Sequence, residues 1–215
     1  MRCLTSLVVA ALVLPCGAGA QSPRAGSPTA DSAAVVAIIE SVRGANAVLC
    51  ELAARSVENQ WGWGGQYDLR ATRDPLARAA LEVSRGHRPP PAAVAPLAAA
   101  LRDGDACVRR VAAPLLGRVR TPAALAALRT ALRDENADAR EAAAIGLGYS
   151  EDRSTIPALL AGIQDAEPRV RAASAWALGE IEDARAIGAL VRLLREDRDA
   201  TVRAAAAWAL GSIEG

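Results

Sequence analysis

Four tandem copies of one unit constrain this chain more than any other feature of it. Asp103, Asp134, Asp165 and Asp197 recur at intervals of 31, 31 and 32 residues. Each is followed six residues later by an arginine: Arg109, Arg140, Arg171 and Arg203. The pairs Leu116-Gly117, Leu147-Gly148, Leu178-Gly179 and Leu210-Gly211 hold the same register, and residues 170–179 nearly duplicate residues 202–211. A unit this short cannot bury its own apolar surface. Copies in phase therefore stack, and the stack builds one continuous core.

Composition says what the unit is made of. The chain of 215 residues is 52% hydrophobic but only 3% aromatic, with about a quarter alanine, no Phe and no Lys. Alanine and leucine favour helices, and strand formers are scarce, which excludes a sandwich or barrel. Each copy reads as two helices. In the third, helix A is expected over about 155–163 and helix B over about 168–178, with Pro168 in its first turn and Gly179 as its C-terminal cap. Along B, Val170, Ala173, Ser174, Ala177 and Leu178 form an i, i+3, i+4, i+7, i+8 stripe facing helix A. The recurrent Asp falls in the turn before B, where unpaired amides favour a carboxylate. The Arg one turn into B reaches such an Asp, in its own repeat or a neighbour's. Repeated, this is a structural ladder of charge-assisted hydrogen bonds that fixes the stacking register.

The period, the Asp-x5-Arg spacing and the Val-Arg-x-x-Ala-Ala-x-Ala-Leu-Gly signature resemble HEAT repeats, in the short HEAT-like form of phycobilin lyases and artificial repeat-protein binders. The resemblance covers residues 92–215 and implies an all-α solenoid of stacked helical hairpins, a right-handed superhelix whose B helices line the concave surface. Three positions depart from the signature: Ala139 replaces Val, Pro114 sits inside the first helix B, and Gly146 interrupts the second. The last two predict local irregularity.

The rest of the chain divides by composition. Residues 1–20 read as a secretory signal: Arg2, an apolar run too short for a bilayer, then Ala18-Gly19-Ala20 before a cut. Residues 21–30 read as a disordered tether and 31–91 as a divergent helical cap, with Asp31 capping a helix to about Val42 and further helices over 46–58 and 75–84. Arg88-Pro89-Pro90-Pro91 reads as a stiff linker into the array. The mature chain is expected to be exported, periplasmic or secreted, with no membrane span. Without Arg2 it carries 24 Arg against 24 acidic residues, and this neutrality argues against nucleic acid. Cys50 and Cys107 have two readings in an oxidising compartment: a disulfide, or two separate buried thiols.

One position of helix B lies about 200° from the packing stripe. It presents Pro114, Ile145, Trp176 and Trp208 in successive copies, and one turn further on come Arg118, Tyr149, Glu180 and Ser212. In HEAT-like arrays the resemblance makes these the exposed ridge that chooses targets, so Trp176, Trp208, Ile145, Tyr149, Arg118 and Glu180 are candidate partner contacts. The bland reading packs both indoles against adjacent B helices. Trp61-Gly62-Trp63-Gly64-Gly65-Gln66-Tyr67 is a second candidate: Trp61 and Trp63 either form a reshaping binding loop or plug the end of the array. The single histidine, His87, leaves no metal-ligand set, and no nucleophile or phosphate-loop motif is present. The expectation is a non-enzymatic scaffold without cofactors that binds a protein or peptide, with self-association through the C-terminal end as a further expectation. The alternatives are an assembly factor of the cell envelope and, furthest behind, a bilin-lyase-like enzyme.

Overall fold

A computed structural model of the chain describes residues 28–46, 50, 53–54 and 88–214. The protein is an all-α solenoid. Helix α1 covers Pro28–Ser41. The four repeats follow as hairpins: α2 (Val94–Ala100) with α3 (Ala106–Val119), α4 (Pro122–Ala131) with α5 (Ala137–Ser150), α6 (Ile156–Gly162) with α7 (Pro168–Ile181), and α8 (Ile187–Glu196) with α9 (Ala200–Glu214). Short 3-10 turns at Pro91–Ala93, Arg153–Thr155 and Ala184–Ala186 lead into α2, α6 and α8.

The first helix of each hairpin is pinned by a leucine at one register position. Leu97, Leu128, Leu159 and Leu190 are all fully buried. On the second helices Val108, Ala139, Val170 and Val202 recur at one register position and are equally buried. Burying one leucine stabilises by roughly 1.5–3 kcal/mol, so this pair of columns fixes both partners of every hairpin. Ala139, which replaces valine at that position, is as fully buried as the valines of the other copies. Val35, Ile38, Ile39 and Val42 of α1 and its following turn join the same core, and a disulfide ties Cys50 to Cys107 on α3, with Cα atoms 5.5 Å apart.

Three local expectations need correcting. Helix α1 begins at Pro28, inside the stretch expected to be a tether and ahead of Asp31, because proline's fixed φ suits a first helical turn. Helix α7 does not stop at Gly179 but runs to Ile181; Glu182 closes it in the left-handed conformation, φ 51°, and donates its N–H to the Gly179 carbonyl. Helices α3 and α5 run unbroken through Pro114 and Gly146. The ladder aspartates sit, as expected, in the turn before each B helix, two residues ahead of its cap position. Asp105, Asn136 and Glu167 are the residues before α3, α5 and α7, and Asp199 caps α9 through the Thr201 amide. Each ladder Asp accepts the N–H of the residue just before the helix: Asp134 Oδ1 from Asn136, Asp165 Oδ1 from Glu167 and Asp197 Oδ1 from Asp199, all at 2.9 Å.

The ladder runs between repeats. Arg140 forks onto Asp165 of the next unit at 2.7 and 2.9 Å while its Nη1 donates to the Asp134 carbonyl of its own. Arg171 does the same with Asp197 at 2.8 and 2.9 Å and with the Asp165 carbonyl. One guanidinium thus ties two turns together. The first rung differs. Arg109 reaches Asp138 at 2.9 Å rather than Asp134, which pairs with Arg102. The equivalents of Asp138 in later copies are Arg169 and Thr201, so no competing carboxylate exists there. At the N-terminal end, Arg43 supplies the guanidinium for Asp103 at 2.8 Å. Arg203 donates to the Asp197 and Arg198 carbonyls.

These carboxyls titrate below their ordinary range. The Arg171 fork holds Asp197 low. At Asp165 partial burial pushes upward, and the Arg140 fork with the Glu167 amide outweighs it. A depressed folded-state pKa contributes stability that is complete above the unfolded-state value near 3.9 and is lost as pH falls through the folded value. Arg171→Met is therefore expected to cost about 2 kcal/mol at pH 7, by leaving Asp197 without its fork. The variant should also flatten the fall in stability below about pH 4. Urea titrations at several pH values read both effects.

Ser174 is the one residue of the packing stripe that breaks its chemistry. It is fully buried, its Oγ has no hydrogen-bond partner, and it sits against Gly162 of α6. Its counterparts are Ala112, Ala143 and Ala206. Ser174→Ala is expected to stabilise by roughly 1 kcal/mol, seen as a raised midpoint at unchanged slope in urea.

Candidate partner-binding face

The B helices α3, α5, α7 and α9 stand side by side in one row, and the glycines of the first three Leu-Gly pairs set how close they come. A Cβ at Gly117 would overlap the Gly146 carbonyl of α5. A Cβ at Gly148 would lie 3.0 Å from Ala177 Cα and 2.9 Å from Trp176 Cζ3; one at Gly179 would lie 2.7 Å from Ala209 Cα and 2.8 Å from Trp208 Cζ3. Each indole therefore lies over the glycine of the preceding repeat, which the helix could not offer with any side chain there.

This seating brings the aromatic residues together across repeats. Tyr149 of α5 tilts against Trp176 of α7 with centroids 5.3 Å apart and planes at 55°. Trp176 stacks on Trp208 of α9 at 6.4 Å and 21°. Arg118 of α3 places its guanidinium 5.4 Å from the Tyr149 centroid. The row Arg118, Tyr149, Trp176, Trp208 thus crosses all four B helices. Such ring pairs contribute roughly 0.5–1.5 kcal/mol beyond area burial.

The two indoles differ in what they leave open. Trp176 is half-buried and packed against the core, whereas Trp208 is 46% exposed. Pro114 is buried and Ile145 half-buried against the core. Glu180 is half-buried on α7. It occupies, relative to Trp208, the place Tyr149 has relative to Trp176, since each follows the glycine under the ring. Burial pushes its carboxyl above the ordinary value, and Glu151 and Glu182 push the same way. Trp61 and Trp63 lie outside the described residues. The sequence separated the Trp position from the position one turn later as two rows; the glycine seats merge them into one diagonal. The signal was present in the alternation of glycine and indole one repeat apart.

Among the described residues no group of His, Cys, Asp and Glu converges as a metal would require, and no helix is long and apolar enough to cross a membrane.

Comparison with known proteins gives the following. The family described as HEAT repeats matches residues 68–144 and again 128–211. Among solved structures, the complex of CpcE and CpcF of phycocyanin lyase from Nostoc sp. PCC7120 is similar at 23% identity, covering 93% of this chain and 70% of that one, with a TM-score of 0.48. No curated protein matches the chain.

Proposed function

Because this chain belongs to the HEAT repeat family, we propose that it is an exported, non-enzymatic scaffold that binds a protein or peptide through the face formed by its B helices. The observation that carries this reading is the stacked aromatic row ending in an exposed indole, since a large apolar group left open on a rigid surface is characteristic of a contact anchor. The glycine seats favour the B side as the inner wall. They draw that row of helices together, the B helices touch one another far more extensively than the A helices do, and a stack bends toward its tighter side. Preorganisation is the mechanism: the row is already ordered by its own stacking, so little side-chain entropy is lost on binding. Export is supported by the Cys50–Cys107 disulfide, a bond that persists in oxidising compartments.

Selection of displayed peptides against the full chain tests the reading. Trp208→Ala is expected to weaken the selected peptides at least roughly tenfold, as loss of an anchor does. Helical circular dichroism should stay as it is, and the melting temperature should fall only modestly, because the variant loses the stacking on Trp176 and keeps the buried core of α9. Equal affinity in the variant would remove the B-helix face as the binding surface.

A further inference from the structure

The ladder ends on an arginine whose fork no described residue takes. Arg140 and Arg171 are each held in two ways. Nη1 donates to two carbonyls of the turn before its own helix, Asp134 and Glu135 for Arg140, Asp165 and Ala166 for Arg171. The Nε and Nη2 edge then grips the aspartate of the next repeat. Arg203 keeps the first half of this arrangement: its Nη1 donates to the Asp197 and Arg198 carbonyls at 2.9 and 3.0 Å. Its Nε and Nη2 have no acceptor among the described residues. A half-buried guanidinium is thus fixed by the same two anchors that aim Arg140 and Arg171 at a carboxylate, with its binding edge unused.

The helix around it carries a second, independent match. On α7, Ala175, Leu178, Gly179 and Ile181 are buried, and α9 lies against Gly179. The corresponding residues of α9 are more open: Ala207 and Gly211 are exposed, Leu210 and Ile213 half-buried. A Cβ at Gly211 would meet nothing within 4 Å. So α9 offers outward both of the features by which α7 holds α9, an arginine fork and a close-approach glycine in an apolar strip.

We propose that this end of the stack docks an apolar helix of another protein led by an acidic residue, with Arg203 binding the carboxylate through two parallel N–H···O bonds and Gly211 letting the helix come close. The carboxylate takes the place relative to Arg203 that Asp197 has relative to Arg171. Head-to-tail joining of two copies of this chain does not supply that group, because Asp103, the first ladder aspartate, is already held by Arg43. The surface is the end of the stack and not its B-helix face, so it stands independently of the partner-binding reading above.

The test uses the full chain and a dye-labelled, capped peptide of residues 196–214, which carries Asp197 ahead of an apolar helix, with binding read by fluorescence anisotropy. The peptide is expected to bind saturably, and its Asp197→Asn form at least roughly tenfold more weakly. In the full chain, Arg203→Lys keeps the charge and loses the fork; it should weaken the Asp peptide about tenfold and leave the Asn peptide unchanged. Gly211→Leu should abolish binding of both peptides while the melting temperature holds, since the space beside it is open. Equal affinity of the Asp and Asn peptides overturns the carboxylate site. An Asp peptide that neither Arg203→Lys nor Gly211→Leu weakens binds elsewhere and overturns the surface, as does the absence of any binding. A dimer in sedimentation that Gly211→Leu dissolves would make a second copy the occupant and overturn the separate partner.

Discussion

Replacing Cys50 and Cys107 together by serine is expected to lower the stability of the folded chain by about 4 kcal/mol, the largest single loss the structure predicts. The crosslink spans 57 residues, and chain-entropy estimates for a loop of that length fall near that value. The loss should appear as a melting temperature lower by roughly 10 °C. It should be concentrated at the N-terminal end, because Cys107 is in the first turn of α3 and the repeats beyond it contact one another without involving the bridge. Hydrogen exchange should show α1 losing protection while α7 and α9 keep theirs. A uniform drop across all helices would mean that the crosslink supports the whole stack. No drop at all would mean that the core around Val35, Ile38 and Ile39 already holds that end.

Gly117→Ala is expected to be nearly as costly, at 3 kcal/mol or more, roughly the upper end for overpacking. The added methyl would collide with the Gly146 carbonyl and come within 3.0 Å of Tyr149 Cβ. Backbone cannot step aside as a flexible side chain does, so α3 and α5 would have to separate. The matched control is Gly211→Ala, at the same signature position in the last copy. A Cβ there meets nothing within 4 Å, so the change should stabilise α9 by roughly 0.5–1 kcal/mol through helix propensity alone. Opposite signs at equivalent positions, read from urea midpoints, are the signature of a glycine kept for close approach. Equal signs would refute that account.

Much of this was legible in the sequence because a repeat advertises itself four times. The hairpins, their register and the structural role of the Asp and Arg positions follow from spacing. The polarity of the ladder did not, since spacing leaves open whether Arg140 reaches Asp134 or Asp165; the distance between stacked units decides, and it selects Asp165. The exception at Arg109 depends on one acidic residue, Asp138, which other copies replace. Gly179 was misread as a cap because glycine after a leucine stripe is a common helix stop. Its purpose is visible only once α9 lies against it. The tryptophans posed a choice between packing and display that pattern does not resolve, and the fold divides it, with Trp176 half-covered and Trp208 46% exposed.

The left-handed corners at Arg120, Glu151 and Glu182 stand 31 residues apart, with φ values of 52°, 51° and 51°. Three joints that turn through the same left-handed region at one register position let length vary without a new kind of corner. A cassette cut between two such corners could be spliced in or removed without a new kind of seam. Evolution can therefore lengthen the reach of this protein by duplication alone, while single substitutions at the ring positions retune what it grips.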